Sequence, residues 1–397
     1  MSIDLLKEKG IPLSRQGSSW KDLVDVPYNK LDDDAFTRVR VILMNGIEAE
    51  SLRFQHAIAR LNGSLQADLA LVRRAEQHQQ TLVNWLNPPD QSPIETTLGF
   101  EQVAIEVTAA VAQNEPDSYL AQVYRFGLLE DFDHLYRFAA LYDRLDGGDA
   151  NVFLQGYTDI LPGRPTSVEH RHPLDDLRTP YNKKTAAPLS KLHAGLITAA
   201  ENQTHDYYMT IGPMFSDPLA RQLYAEIASI EEQHTTQYES LIDPTESHLE
   251  KWLMHEAIEV YAYHSCFVSE ENPRVKRIWE RLLGYELGHL RHVADLFEHI
   301  EKRDAAEVLP AVLPEPLAFR SNREFVREVL RTEVDLRAHG AAFIDKSEEA
   351  TGTRRYREQL NADGSPSDLA AASYVWSPGT EQAADLFAPT THSGRAP

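Results

Sequence analysis

The chain of 397 residues contains almost no cysteine, few basic residues and no long apolar run. Cys266 is the single cysteine, so an internal disulfide and a cysteine-built zinc or iron–sulfur centre are excluded. Lysine and arginine number 39 against 61 aspartates and glutamates, which makes the formal net charge −22. Because nucleic acid and anionic membrane surfaces both attract basic faces, this balance argues against either as a partner.

Signals for a membrane or for secretion are also missing from the sequence. No apolar stretch approaches the roughly 18–20 residues that a helix needs to cross a bilayer. The first ten residues, MSIDLLKEKG, contain no apolar core of a secretory signal. We therefore expect a cytoplasmic protein without a membrane partner. Phosphate-binding glycine loops and nucleophile-elbow motifs are absent as well, so other common chemistries leave little trace.

Apolar residues at helical spacing predict an all-α fold of long helices with short connections. The predicted helices cover 34–61, 64–85, 94–112, 118–145, 189–212, 217–242, 246–268 and 273–303. Four long helices in succession favour an up-and-down bundle. The sequence therefore predicts two tandem four-helix bundles, one over 34–148 and the other over 189–305.

Three further segments surround the predicted bundles. Residues 1–33 are interrupted by glycine and proline, which indicates an arm with a short helix at most. The linker 149–188 is rich in proline, glycine and polar residues, and its unusual length would allow it to cover a site entrance. Within the last region, 306–397, we expect one helix over 323–346 and an irregular tail from about residue 351.

The most informative pattern in the chain is a repeated Glu-x-x-His motif. Glu286 and His289 are three residues apart, so on a helix both side chains lie on one face and can reach one metal ion. A second pair with the same spacing lies in the second helix of the same predicted bundle, and the other two helices each contribute one glutamate. The candidate ligands are Glu201, Glu231, His234, Glu259, Glu286 and His289.

An internal repeat extends the pattern to the first predicted bundle. Its weaker candidate site consists of Glu48, His78, Glu106, Asp131 and His134, which lie 153–156 positions before their counterparts. Ala75 stands where the second repeat has Glu231, so we expect the first repeat to bind metal poorly. Two copies of one unit also suggest an internal pseudo-dimer, and further homo-oligomerisation stays open.

At these residues the chain resembles the ferritin-like superfamily, over about 34–145 and 189–303. The resemblance implies a dinuclear centre of two iron ions, with manganese as the alternative, in which Glu231 and Glu286 bridge the metals. Carboxylate and imidazole donors suit both metals. The resemblance also implies an oxidoreductase that uses dioxygen or hydrogen peroxide to oxidise a small organic substrate.

Two alternatives to this reading remain. The first is an iron-binding, peroxide-detoxifying protein of the ferroxidase or catalase type, which needs no organic substrate. The second is a scaffold whose sites are vestigial and bind no metal. A simpler interpretation also applies to each glutamate taken singly, because exposed glutamate is the rule. We expect Glu232 and Glu256, which flank candidate ligands, to be solvated.

Overall fold

A computed structural model of the chain describes residues 3–339 and 342–374, and most of these residues are helical. The helices are α1 Trp20–Leu23, α2 Ala35–Leu61, α3 Gln66–Asn84, α4 Pro93–Asn114, α5 Ser118–Asp146, α6 Ala150–Phe153, α7 Pro188–Ile211, α8 Pro218–Glu239, α9 His248–Ser269, α10 Pro273–Glu301, α11 Arg323–Glu333, α12 Thr351–Leu360 and α13 Pro366–Ala371. Two short strands, β1 Leu336–His339 and β2 Ala342–Asp345, form an antiparallel hairpin. The predicted all-α class is confirmed, and no described helix is long and apolar enough to cross a membrane.

Capping residues explain where the long helices begin. Ser92 precedes α4 and forms a capping box with Glu95, in which each side chain bonds to the other residue's backbone N–H. Ser247 and Glu250 form the same box at the start of α9. The two helices hold corresponding places in the repeat, so the capping chemistry repeats together with the helices.

The eight long helices form four hairpins, and each hairpin of the first repeat packs against a hairpin of the second. The hairpins are α2–α3, α4–α5, α7–α8 and α9–α10. Helix α2 packs against α9, and α3 meets α10 through a hydrogen bond from Gln79 to Glu286, so these four helices form bundle A. Helices α4 and α7 pack together, as do α5 and α8, which closes bundle B. The prediction grouped four consecutive helices in each bundle. In the structure, each bundle instead combines one hairpin from the first repeat with one from the second.

The physical reason for this pairing lies in the inner helices. Helices α4 and α9 are buried on almost every side, and α2 and α7 contact each other across the boundary between the bundles. A helix that is buried on almost every side has no single apolar face that identifies its partner. Periodicity therefore located these helices without showing which hairpin each one packs against.

The N-terminal arm lies along α10. The Ile11 N–H donates to the Gly284 carbonyl at 2.6 Å, and the Ile11 carbonyl lies directly against Gly288, where a side chain would overlap it. Gly10 adopts a φ of 57°, a left-handed conformation that glycine accepts without strain. The arm is thereby held beside Glu286 and His289.

The C-terminal region differs from its prediction. The predicted helix 323–346 ends at Glu333, and the hairpin that follows places Phe343 against Phe126 of α5, with ring centroids 5.4 Å apart. Gly340 interrupts the helical pattern in the sequence, and glycine costs about 1 kcal/mol in a helix. The expected irregular tail contains α12 and α13, while its residues 375–397 lie outside the described part of the chain.

The packing of α5 against α8 can be tested at Gly127. A methyl group added at this buried glycine would overlap the Tyr238 hydroxyl of α8. We expect Gly127→Ala to lower the free energy of unfolding by about 1–3 kcal/mol, the usual cost of overpacking a core. Chemical denaturation measures the difference. Gly352→Ala is the control, because no atom of residues 3–339 or 342–374 lies within 4 Å of its added methyl, and equal stability of the two variants would contradict this packing.

Candidate metal centres

Each bundle contains one cluster of buried carboxylates and imidazoles, and none of these side chains is more than 1% exposed. Cluster B, in bundle B, consists of Glu101, Asp131, His134, Glu201, Glu231 and His234. Cluster A, in bundle A, consists of Glu48, Glu76, Glu256, Glu259, Glu286 and His289. The six residues that the sequence assigned to one centre are thus divided, three in each cluster.

Cluster B brings two carboxylate-x-x-His pairs together from opposite repeats. One group of ligand atoms, all within 4.8 Å of one another, comes from Asp131, Glu201, Glu231 and His234. A second group with the same mutual distances is Glu101, His134 and Glu231. Since Glu231 belongs to both, the cluster offers two adjacent metal positions with one carboxylate in common.

Both imidazoles of cluster B are oriented by outer carboxylates. His234 Nε2 lies 2.9 Å from Glu130 Oε2, and His134 Nε2 lies 2.9 Å from Glu169 Oε2. The Nδ1 atoms point inward, and His234 Nδ1 lies 3.3 Å from Glu231 Oε2. A carboxylate on the distal nitrogen fixes the ring and makes it a better metal ligand. Cluster B therefore has the arrangement of donors that histidine metal sites require.

The linker 149–188 supplies part of the outer layer of cluster B, which consists of the residues that contact its imidazoles from outside and of their ion-pair partners. Arg171 Nη1 lies 2.6 Å from Glu130 Oε1, and Arg164 Nη1 lies 3.3 Å from the same atom. Burial raises the pKa of Glu130, but Arg171, His234 and Arg164 outweigh burial and hold that pKa below its usual range. Glu130 is therefore a carboxylate whose charge is balanced by the protein itself. The linker is largely irregular, as predicted, and several of its charged side chains are buried, including Arg164, Glu169 and Arg171 beside bundle B.

Many inward-facing polar atoms of cluster B have no hydrogen-bond partner in the described part of the chain. Within the described residues, both oxygens of Asp131, both oxygens of Glu201 and the Nδ1 of His234 have no hydrogen-bond partner. Burial raises the pKa of Asp131 well above its usual range and that of Glu201 to about 7. Buried polar atoms are nearly always paired. The convergence of these atoms is what a set of metal-ligand atoms requires.

Cluster A is built in a similar way, with two differences. Its four convergent ligands are Glu76, Glu256, Glu286 and His289. Gln79 stands in α3 where α8 has its histidine, and its amide donates to Glu286 Oε1 at 2.6 Å. The outer partner of His289 is an amide, since Gln16 Oε1 lies 2.7 Å from His289 Nε2. Among the described residues, the four convergent ligands of cluster A therefore include one imidazole, which has no outer carboxylate; a second imidazole, that of His255, lies 3.7 Å from Glu259 Oε1.

Each cluster also contains one tyrosine bonded to a carboxylate. Tyr208 of α7 donates to Glu101, and Tyr263 of α9 donates to Glu48. In both cases the other carboxylate oxygen has no partner among the described residues. The tyrosines therefore hold one oxygen of each carboxylate and leave the second for the cluster.

Two residues of the weaker predicted site lie elsewhere. Glu106 accepts hydrogen bonds from the Thr158 hydroxyl and from Asn322, which places it under the linker and away from both clusters. His78 is partly exposed on the surface of α3. Both face away because His78 lies two residues after the ligand Glu76 and Glu106 lies five residues after the ligand Glu101, and neither spacing returns a side chain to the same face of a helix.

Sequence reasoning missed three carboxylates of the clusters. They are Glu76, Glu101 and Glu256, and the last was expected to be solvated. A constant repeat offset would have found them, because pairs of cluster residues lie 155 positions apart: Glu76 with Glu231, Glu101 with Glu256, and Asp131 with Glu286. Glu130 and Glu169 carried no such signal, since their role depends on how the linker folds.

Comparison with known proteins found no match. No protein-family model matches the chain, and neither does any curated protein or solved structure. Buried carboxylates and imidazoles at these distances could hold a metal ion. The function of the clusters therefore has to be inferred from their donor atoms, burial and charge.

The outer layer of cluster B can be tested at Glu130. Glu130→Ala would leave Arg164 and Arg171 without this shared carboxylate in a buried environment. We expect a loss of about 3–5 kcal/mol in the free energy of unfolding, as for other buried pairs that lose one member. Denaturant titration measures it beside Glu328→Ala, which removes an exposed partner of Arg331 and should have little effect. Similar losses in the two variants would show that Glu130 is not the counter-charge described here.

Proposed function

We propose that the protein is a ferritin-like dinuclear-metal oxidoreductase whose centre is cluster B. The observation that supports the proposal is the meeting of two carboxylate-x-x-His pairs around Glu231, which belongs to both groups of ligand atoms. Two further helices each add one carboxylate, Glu101 and Glu201. This is the donor pattern of di-iron and di-manganese carboxylate bundles. Here the four helices come from two different repeats.

The charges of cluster B agree with two divalent ions. Its four carboxylates carry four negative charges when ionised, which two divalent cations would balance, and the two imidazoles add neutral donors. Without cations, so many carboxylates in one buried site would be strongly unfavourable. Oxygen donors with a minority of nitrogen suit iron, or alternatively manganese.

The residues around the centre prepare it for small reactants. A bound metal pair would supply redox chemistry and open positions for dioxygen or hydrogen peroxide. Glu130 and Glu169 hold the two imidazoles in position, and Tyr208 holds one oxygen of Glu101. The near-complete burial of all six ligands keeps bulk water away from the reaction. A small organic compound would be the molecule that is oxidised.

A second function without an organic substrate is favoured by one observation. The linker side of cluster B is lined by charged groups, including Arg164, Arg171 and Asp176, and not by an apolar surface. Such a boundary suits a small polar reactant such as ferrous iron or peroxide. Iron oxidation or peroxide disproportionation is therefore the alternative reaction for the same centre.

Metal content tests the centre itself. Glu231→Gln changes one oxygen to an amide nitrogen, which has no lone pair for a metal, and removes the negative charge, so this side chain can no longer serve both positions as a carboxylate. We expect most of the cluster B iron to be absent from this variant after anaerobic loading and desalting, as measured by elemental analysis. Glu232→Gln, an exposed neighbour on the same helix, should bind as much iron as the unmodified protein. Equal iron in all three proteins would contradict the assignment.

Oxidant consumption separates the two reactions. The iron-loaded protein is given dioxygen or hydrogen peroxide with no organic compound present, and consumption is followed with an electrode. Sustained turnover that Glu231→Gln abolishes would favour the alternative reaction. A single turnover that becomes sustained only when a small organic reductant is added would favour the oxidoreductase. No consumption by the loaded protein would contradict both.

A further inference from the structure

Two carboxylates of cluster A accept hydrogen bonds from described residues through only one of their two oxygens. Glu76 Oε2 accepts hydrogen bonds from Ser51 at 2.6 Å and Gln55 at 2.5 Å, whereas its Oε1 has no partner in the described structure. Glu256 Oε1 accepts from Trp252 Nε1 at 2.6 Å, and its Oε2 likewise has no partner there. Each side chain is thus fixed by one oxygen while the other, fully buried, points at the same space.

The N-terminal arm determines which nitrogen of His289 faces that space. The Gln16 amide nitrogen donates to the Ile11 and Tyr285 carbonyls, at 2.6 and 3.1 Å. Its oxygen must then be the atom that faces His289 Nε2 at 2.7 Å, and it can only accept. The Nε2 atom therefore carries the hydrogen, and the Nδ1 of a neutral ring presents a lone pair to the cluster.

That lone pair points at oxygen atoms that repel it. His289 Nδ1 lies 3.1 Å from Glu286 Oε2 and 3.7 Å from Glu76 Oε1. A neutral ring in this position is satisfied by a cation bound between these atoms, or by a proton on one of the carboxyls, which then donates to Nδ1. The competing arrangement is an imidazolium that donates from Nδ1 to Glu286, which requires no metal.

Gln79 makes the donor set of cluster A different from that of cluster B. Its amide nitrogen has no lone pair, and it occupies Glu286 Oε1 by donating to it. In cluster B, the corresponding side chain is the ligand His234. The ligand atoms of cluster A accordingly form one group, whereas those of cluster B form two groups that share Glu231.

We propose that cluster A is a separate site for one hard divalent cation, Mn²⁺ or Fe²⁺, held by Glu76, Glu256, Glu286 and His289. The buried carboxyls of Glu48 and Glu259 lie beside it, where both interact electrostatically with Glu286 and Glu76. This site does not depend on the function proposed for cluster B, because the two clusters share no residue. A small surface pocket lined by Gln16, His78 and Gln79 lies on the arm side of the site.

Manganese binding by the full-length protein tests the proposal. The protein is loaded with Mn²⁺ alone, desalted and analysed for metal. In the double variant Glu76→Gln/Glu256→Gln the amide oxygens can keep the bonds from Ser51, Gln55 and Trp252, so folding should be preserved. We expect this variant to lose one manganese per chain, and Glu298→Gln, an exposed change on α10, to lose none. Equal manganese content in the double variant and the unmodified protein would overturn the proposal.

Electron paramagnetic resonance gives a second, independent measurement. In a Glu231→Gln background, where cluster B is impaired, bound Mn²⁺ should show the resolved hyperfine pattern of an isolated ion. The spectrum of an exchange-coupled pair, or the absence of tightly bound manganese, would overturn the assignment of one ion to cluster A. Failure of cluster B alone is distinguishable, because manganese content would then be sensitive to Glu76 and Glu256 but not to Glu231.

Discussion

The structure depends on how it accommodates buried negative charge. Each bundle encloses carboxylates that are at most 1% exposed, and burying an ion typically costs several kcal/mol after relaxation. Around cluster B the outer carboxylate Glu130 is neutralised by arginines from the linker, whereas the inner carboxylates face one another and two imidazoles. The linker is therefore a structural part of the site. Its irregular backbone is what allows two arginines and Glu169 to reach one buried point.

The exchange of hairpins between repeats has a direct effect on the sites. Cluster B takes its carboxylate-x-x-His pairs from α5 and α8, and cluster A takes its ligands from α3, α9 and α10. Neither repeat holds all the ligands of either cluster. Docking of the two repeats and assembly of the sites are consequently one event, and many of the contacts that stabilise the fold join residues far apart in sequence.

Much of this could be predicted from sequence, and the remainder shows where such prediction fails. Helix positions followed from apolar spacing and capping, and nine of the twelve cluster residues were among the candidates predicted from the sequence, Glu48, Asp131 and His134 included. The pairing of hairpins could not be predicted, because α4 and α9 are buried on almost every side and have no single apolar face that identifies a partner. Glu76 and Glu101 were missed through small errors in the repeat register. Glu130 and Glu169 became recognisable only when the fold placed them beside an imidazole.

Gln79 shows what a single covalent chain permits. In a symmetric dimer of one repeat, the two-fold axis would make both centres identical, so every substitution would appear twice. In this chain, each hairpin occurs once and contributes to only one centre. Replacement of an imidazole by an amide in α3 therefore changes cluster A and leaves His234 of cluster B in place. Joining the repeats removes the symmetry constraint, so that two originally equivalent positions can acquire different chemistry.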